Sequence, residues 1–219
     1  MKKHLLVLSI VFYSTISFAQ YGYRDGNRIG ISAGVAQTSL FTSNFTAKPE
    51  LGFNGGLSVR GNYYNNWSMI YGMQFFINSF SLETTTPLAQ QKDTKFSLSG
   101  VQVRLLLSYN IVKDHVSFDF GPVLQINGKL DVDSNDGNNV INGTLLKSNQ
   151  ILDVTKVNGN AYVGISAGSK VVRAVIFYEY GFNNILNKLN SQDGLILLNN
   201  NDKFKGNLGT ISGQIIFNL

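Results

Sequence analysis

The feature that most constrains this chain is a two-residue alternation between large apolar side chains and small or polar ones. Because successive side chains of a β-strand point to opposite faces, each alternating stretch predicts a strand with one apolar face. The pattern is strong at 51–63, 67–78, 101–109 and 116–127, and weaker at 28–37, 157–170, 171–182 and 206–219. The sequence therefore predicts an all-β fold of eight antiparallel strands.

Three features favour lipid, rather than a protein core, against the apolar faces. The segments run to about a dozen residues, whereas strands of soluble proteins average about 5–6. An apolar N-terminal segment typical of exported proteins precedes them. Aromatic residues lie toward the strand ends, where transmembrane barrels carry girdles: Tyr63, Trp67, Tyr71, Tyr109, Tyr178 and Tyr180. We expect a transmembrane barrel rather than a soluble sandwich.

The lengths of the connections support the same fold. Short links near 63–66, 110–115 and 169–171 alternate with long links near 38–50, 84–95, 131–156 and 183–205. Outer-membrane barrels have short periplasmic turns and long extracellular loops. With an even number of strands, both termini would lie on the periplasmic side. The expected topology is an up-and-down barrel.

The N-terminus predicts export. Two lysines precede an apolar run over 5–18, which ends in small residues two apart, Ser17 and Ala19. This layout is typical of a secretory signal peptide, so we expect residues 1–19 to be cleaved and 20–219 to form the barrel domain. An uncleaved anchor is the alternative, although the run is short for a transmembrane helix. The expected location is the cell outer membrane, after Sec-dependent export.

The composition limits the other classes of partner. There is no cysteine, so we expect neither a lipoprotein anchor nor disulfides. Lys2 and Lys3 would leave with the signal peptide, which reduces the 18 basic residues to 16 against 13 acidic ones. The basic residues are scattered rather than clustered, and this does not favour nucleic acid.

Five charged residues fall on the predicted inward face. They are Arg60, Arg104, Asp119, Arg173 and Glu179. An eight-stranded barrel is only wide enough for its own side chains, and an unpaired buried charge is costly. We therefore expect an arginine–carboxylate network that closes the lumen. A gated ion path along the same charges is the alternative.

Three segments resemble a known family. The strand Val101–Tyr109, the aromatic and Gly-Pro segment Phe118–Leu124 and the stretch Phe177–Ile185 are similar, in order and spacing, to segments of the PorT-like outer-membrane β-barrel proteins of Bacteroidetes. One difference is a proline of the first segment, which Arg104 or a neighbour replaces here. The resemblance implies an eight-stranded outer-membrane barrel. The namesake takes part in protein secretion, and that role would come to this chain only by analogy of fold.

The chain is poor in residues for catalysis. Most acyl or peptide hydrolysis needs a histidine to move protons. Of the two histidines, His4 would leave with the signal peptide, and His115 lies in a predicted periplasmic turn. We expect no enzymatic activity, no cofactor and no metal site. One alternative stays open: the segment 131–143 resembles the start of a calcium loop, with its glycine one place late and Asn142 where a glutamate is usual.

Two further segments predict partners. The last long connection contains the apolar run Leu195, Ile196, Leu197 and Leu198, which would pack on the barrel, form a short helix or hairpin, or bind a protein partner. Ile211, Ile215, Phe217 and Leu219 share one face of the terminal strand, a pattern that barrel assembly machinery reads. We also expect contact with outer-membrane lipid and lipopolysaccharide.

The sequence suggests four candidate functions. The first is a non-enzymatic barrel whose outer loops bind or brace something. The second is a component of a secretion or transport complex, the third is a narrow channel and the fourth is an outer-membrane enzyme. The scarcity of histidine disfavours the fourth, and the sequence does not choose between the first two.

Overall fold

The structure is a computed structural model that describes residues 27–219. The predicted signal peptide, residues 1–19, lies outside these residues. The strands are β1 (Arg28–Thr42), β2 (Ala47–Tyr64), β3 (Trp67–Thr85), β4 (Gln91–Val112), β5 (Val116–Val132), β6 (Val140–Ile141), β7 (Val157–Gly168), β8 (Val172–Gly181) and β9 (Gly206–Asn218). Among the described residues, two 3-10 turns cover Ser148–Gln150 and Asn187–Ser191, and one short helix, α1, covers Asp193–Leu198. Within 27–219, no helix has the length and apolar character to span a bilayer.

Eight of these strands close into a ring. The order is β2, β1, β9, β8, β7, β5, β4 and β3, and β3 pairs back with β2. All the pairings are antiparallel, and Val35 of β1, for example, lies opposite Phe53 of β2 on one side and Gly213 of β9 on the other. The two-residue β6 joins the ring from outside, at Thr84–Thr85 of β3. The predicted eight-stranded antiparallel up-and-down barrel is confirmed.

The outer face of the ring carries a band of exposed apolar side chains. On β3, Trp67, Tyr71, Met73, Phe75 and Ile77 are between 39% and 66% exposed. At about 3.3 Å per residue and a tilt of about 40°, the rise from Trp67 to Ile77 is about 25 Å. This is the height of the apolar band in transmembrane barrels.

Aromatic rings cluster at both edges of the band. At one edge the ring of Trp67 lies 5.1 Å from that of Tyr109, measured between centroids. At the other edge the ring of Tyr180 contacts Phe41 and Phe182, with centroids 6.3 Å and 6.1 Å apart. Paired girdles of this kind are typical of strands that cross from one membrane interface to the other.

Beyond the band, β3 and β4 continue and the sense of their alternation inverts. Phe80 and Leu82 of β3, with Phe96 and Leu98 of β4, point inward and are at most 1% exposed. The outer positions at this height hold Ser79, Ser81, Glu83, Lys95 and Ser97. This part of the barrel therefore has polar side chains outside and mostly apolar ones inside. Ser79 and Ser81 are themselves covered and bond to Ser97 and Glu50.

Two of the long links predicted from the sequence are wrong, because strands extend into them. The link predicted at 38–50 shrinks to 43–46, and the one predicted at 84–95 shrinks to 86–90. The charged residues of these segments, Lys48, Glu83, Asp93 and Lys95, face outward, whereas Thr84 and Thr94 bond to each other inside the barrel. Both segments are strands that extend past the apolar band, and only the turns between them are loops.

The two ends of the barrel differ. At one end, which we call the turn end, the connections are 65–66, 113–115 and 169–171. At the opposite end the connections 133–156 and 182–205 fold together over the mouth, and we call these two segments the loop cap. The interior beneath the loop cap and the interior near the turn end are therefore separate regions of the barrel.

Candidate functional site: a polar lumen beneath an apolar loop cap

Three of the five predicted lumen charges lie together near the turn end. Arg60 of β2, Asp119 of β5 and Arg173 of β8 reach inward from different walls of the ring. Arg60 forms a salt bridge of 3.4 Å with Asp119. Nη2 of Arg173 donates to Oγ of Ser166 at 3.0 Å, and Ser117 donates to Asp119 at 3.0 Å. These bonds connect β2, β5, β7 and β8 across the lumen.

The other two predicted charges form a pair at mid-height. Nη2 of Arg104 lies 2.6 Å from Oε1 of Glu179, and both residues are buried. The guanidinium carbon lies 4.5 Å from the ring centroid of Phe177 and 5.3 Å from that of Tyr162. Gln102 accepts from Arg104 at 3.0 Å and donates to Glu179 at 2.8 Å. A buried ion pair needs such additional bonds, because removing two charges from water is expensive.

Side-chain amides form a further layer toward the loop cap. Nε2 of Gln214 on β9 donates to Gln74 of β3 and to Asn54 of β2, each at 2.7 Å. On the opposite wall, Asn160 donates to Gln125 at 2.9 Å. The bond between Gln214 and Gln74 joins strands that are not neighbours in the ring. The polar side chains therefore bridge the lumen at several heights.

A small cavity remains among these side chains. Its volume is about 40 Å³, and Arg60, Arg104, Asp119 and Arg173 contribute to its wall. Ile70, Leu106, Val175 and Ile216 line it as well, and a cavity of this size has room for a few water molecules.

The cap end holds an apolar core in place of these polar layers. Its buried residues come from the strands (Leu40, Phe76, Phe80, Leu82, Phe96, Leu98, Leu130 and Leu208), from the 43–46 turn (Phe45) and from the loop cap (Ile141, Leu146, Ile151, Val154, Ile185, Leu186, Leu189, Leu195 and Phe204). The two parts of the loop cap also bond to each other. The Thr155 amide donates to the Ile185 carbonyl at 2.8 Å, and the Leu145 amide donates to the Leu198 carbonyl at 2.9 Å. The loop cap is thus a packed unit on the barrel mouth.

The apolar run at 195–198 forms most of helix α1 within the loop cap. Leu195 is buried in the apolar core, and Ile196 and Leu198 pack against that core. Leu197 is 68% exposed, and Leu145, which lies next to this helix, is 71% exposed. Three of the four residues of the run therefore pack on the apolar core. Leu197 and Leu145 are left exposed on the outer surface.

The turn end carries a separate charge cluster at its rim. Nη2 of Arg28 donates to Asp114 at 2.8 Å, and Lys170 lies 3.4 Å from the same carboxylate. The hydrogen bond from Arg28 holds the pKa of Asp114 below its usual value. His115 adjoins this cluster, with Nδ1 at 3.0 Å from the carbonyl oxygen of Gly168.

The segment that resembles a calcium loop has other contacts here. Asp136 forms a salt bridge of 2.6 Å with Lys92 and accepts from Asn139 at 3.2 Å. Within the described part of the chain, no three acidic or histidine side chains come together as a metal site would require.

Comparisons with known proteins give similarity at the level of the fold. No protein-family model matches the chain, and no curated protein matches it. Among solved structures, Neisserial surface protein A is similar at 14% identity, with 88% of this chain and 99% of that chain covered and a TM-score of 0.48. The attachment invasion locus protein Ail of Yersinia pestis matches at 14% identity, 89% and 99% coverage and a TM-score of 0.42. The outer membrane protein OprG of Pseudomonas aeruginosa matches at 11% identity, 90% and 98% coverage and a TM-score of 0.43.

Identities and TM-scores this low carry no argument about function. The barrel fold follows from the ring of strand pairings itself. The resemblance to PorT-like barrels has no matching family model behind it and stays a prediction.

Sequence reasoning missed the apolar core beneath the loop cap. The signal was present in the inverted alternation Ser79-Phe80-Ser81-Leu82 and in Phe96-Ser97-Leu98. It also missed the amide layer around Gln74, since uncharged polar residues at inward positions do not stand out in a period-two pattern.

Proposed function

We propose that this protein is a non-enzymatic outer-membrane barrel with a side-chain-filled lumen, which holds the loop cap as a rigid binding surface outside the cell. The observation that carries this proposal is the apolar core formed jointly by the loop cap and the strand ends beneath it. Long loops without such a core are mobile, whereas a cap packed and hydrogen-bonded to the barrel presents its surface in one conformation.

The membrane placement is supported by the outer surface. The exposed apolar band is about 25 Å tall and has aromatic residues at both edges, as expected for strands in lipid. The segments of the loop cap are long and the connections of the turn end are short. Outer-membrane barrels have their long loops outside the cell, so this difference favours an extracellular loop cap. In this placement the band contacts outer-membrane lipid and lipopolysaccharide, and the outward face of β9 is the part offered to the assembly machinery.

The binding surface is centred on Leu197 and Leu145. Both are more than two-thirds exposed, and they belong to the two different segments of the loop cap. Water-facing apolar side chains brought together by packed loops favour contact with another protein. The site supports no comparable case for catalysis, since His115, the one histidine among residues 27–219, lies at the opposite end of the barrel.

Crosslinking in intact cells tests the binding surface. A photo-crosslinking residue at position 197 should form protein adducts. The matched control is position 88, where Leu88 is 83% exposed in the 86–90 turn at the same end of the barrel. Equal adducts from both positions, or none from position 197, would contradict a partner role for this surface.

A narrow channel is the second candidate, favoured by the cavity among the lumen charges. Planar-bilayer recording separates it from the first, because a lumen bridged by side chains and covered by the loop cap should give no steady conductance. Large and stable single-channel steps would establish a channel and remove the closed-lumen proposal. Membership of a secretion complex, which the PorT-like resemblance implies, would instead appear as crosslinks from position 197 to other components of the same outer membrane.

A further inference from the structure

The charges at the turn end of the lumen do not balance. Arg60 and Arg173 both reach inward, and Asp119 is the only carboxylate of the described residues within salt-bridge distance of either. The remaining pair, Arg104 and Glu179, is neutral in itself. The lumen therefore holds one positive charge in excess of its carboxylates.

The two guanidinium groups are close neighbours. Each lies within 3.4 Å of Oγ of Ser117, and each also contacts Oγ of Ser166, at 3.4 Å from Arg60 and 3.0 Å from Arg173. Two cations that share the same hydroxyl groups repel each other strongly in a low-dielectric interior. Asp119 is engaged with Arg60, so it offsets only one of them.

Arg173 has no charge partner of its own. It is 3% exposed, and its other hydrogen bonds go to neutral oxygens, including the carbonyls of Asp114 and His115. The carboxylate of Asp114 is held by Arg28 and Lys170 at the rim. Hydrogen bonds to neutral oxygens offset only part of the cost of removing a cation from water, because they do not balance its charge.

The cavity lies against these same side chains. Of the residues that the structure describes, Arg60, Arg104 and Arg173 contribute to its wall together with a single carboxylate, Asp119. Nε of Arg104 and Nε of Arg173 are buried without a hydrogen-bond acceptor. With a volume of about 40 Å³ the cavity has room for an ion close to water in size.

We infer that this cavity binds one small monovalent anion of the halide class, with chloride as the physiological occupant. The anion would neutralise the excess charge of Arg60 and Arg173 and accept the unused N–H groups. The inference is independent of what the loop cap binds, and it assigns the ion a structural place in the lumen rather than a path through it.

The first test compares chloride with gluconate, an anion too large for the cavity, at equal ionic strength. Thermal unfolding of the full chain in detergent micelles is followed by the fluorescence of Trp67, the single tryptophan. Above the dissociation constant, each tenfold increase in chloride should raise the midpoint by about 3–6 °C. Identical midpoints in the two salts over the whole range would overturn the inference and leave a cavity that holds water only.

The second test supplies the negative charge within the protein. Ser166 contacts both guanidiniums, so Ser166→Asp should abolish the chloride dependence and raise the midpoint in gluconate. Ser166→Asn is the matched neutral control and should retain the chloride dependence. If both variants keep it, the stabilising anion binds elsewhere and the assignment to this cavity fails.

A direct observation completes the test if Ser166→Asp does not fold. Crystals of the wild-type protein soaked in bromide should give an anomalous peak inside the barrel between Arg60 and Arg173. A map with anomalous peaks only at the surface of the protein would refute the proposal.

Discussion

The interior near the turn end and the interior beneath the loop cap are built from opposite kinds of side chain. Near the turn end, Arg60, Asp119 and Arg173 are bridged by hydroxyl groups, and the wall outside them is apolar. Beneath the loop cap, Phe80 and Phe96 stack with centroids 5.8 Å apart, and the wall outside is polar. One sheet thus changes the sense of its burial along its own strands.

The difference follows from the solvent outside each region. Lipid stabilises apolar side chains on the outer wall, so the interior there can hold many polar residues, which bond to one another beside a small apolar cluster that includes Leu106, Val123 and Val175. Water surrounds the strand tops, where the hydrophobic effect drives apolar side chains inward as in a soluble domain. The interior near the turn end is held mainly by hydrogen bonds and ion pairs, and the loop cap is held mainly by packing.

The largest effect should come from breaking the buried ion pair. Glu179→Ala leaves Arg104 as an unpaired cation and removes one of the two acceptors of Gln102, and we expect a loss of about 3–5 kcal/mol in the free energy of unfolding. Urea titration of the folded barrel in detergent measures it.

The control for this variant removes both charges. Arg104→Met with Glu179→Leu should recover most of the loss, because Met packs well against the rings of Phe177 and Tyr162. A double variant as unstable as Glu179→Ala would show that the shape of the pair matters more than its charge balance.

A cavity in the apolar core should have a smaller and more local effect. Leu189→Ala removes a fully buried side chain of the loop cap and should cost about 3 kcal/mol. We expect the cap to open before the ring unfolds, so that protease cleaves within 182–205 while the heat-modifiable gel shift of the barrel persists.

The exposed Leu197 provides the comparison for this variant. Leu197→Ala should leave protease resistance unchanged, since the side chain is 68% exposed. If Leu189→Ala abolished the folded barrel together with the cap, the two interiors would form a single cooperative unit.

The smallest effect is expected at the rim of the turn end. Asp114→Asn should reduce stability at pH 7 by less than about 1 kcal/mol, because the pair with Arg28 is partly exposed. Asn tolerates the positive φ of 63° at this position, so the backbone should not change.

The effect of Asp114→Asn on stability should depend on pH. Because Arg28 lowers the pKa of Asp114 in the folded state, the pair stabilises the protein above the unfolded pKa of about 4 and loses this contribution as pH falls through the folded value. The difference between wild type and variant should therefore shrink in acid. A difference that grew below pH 4 would contradict the assigned partner.

Much of the fold could be predicted from the sequence because lipid-facing strands alternate strongly. The faces of β3 from Trp67 to Ile77, the ring of eight strands and the inward direction of Arg104 all follow from a period of two. The cap-end parts of β3 and β4 were not predicted. Their alternation has the opposite sense, with polar residues outside, and segments rich in Ser, Thr and Lys also resemble loops.

The contacts between side chains in the lumen could be predicted from the sequence only in part. Periodicity placed five charged residues inward, but it could not pair them, because pairing depends on the stagger of strands around the ring. Arg173 illustrates this: the sequence offered Asp119 and Glu179 as partners, and the structure gives it only neutral oxygens. The folding of 195–198 onto the barrel also depended on a core formed by residues distant in sequence.

The packing of the loop cap has a consequence for immune recognition. An antibody raised against a linear peptide from 133–156 or 182–205 would meet Ile151 and Leu189 in the immunogen, whereas both are fully buried in the folded protein. Such antibodies should bind denatured protein and fail on whole cells. Antibodies selected on the intact barrel should instead recognise discontinuous epitopes that combine the two segments where Leu145 bonds to Leu198, and these would be lost on boiling.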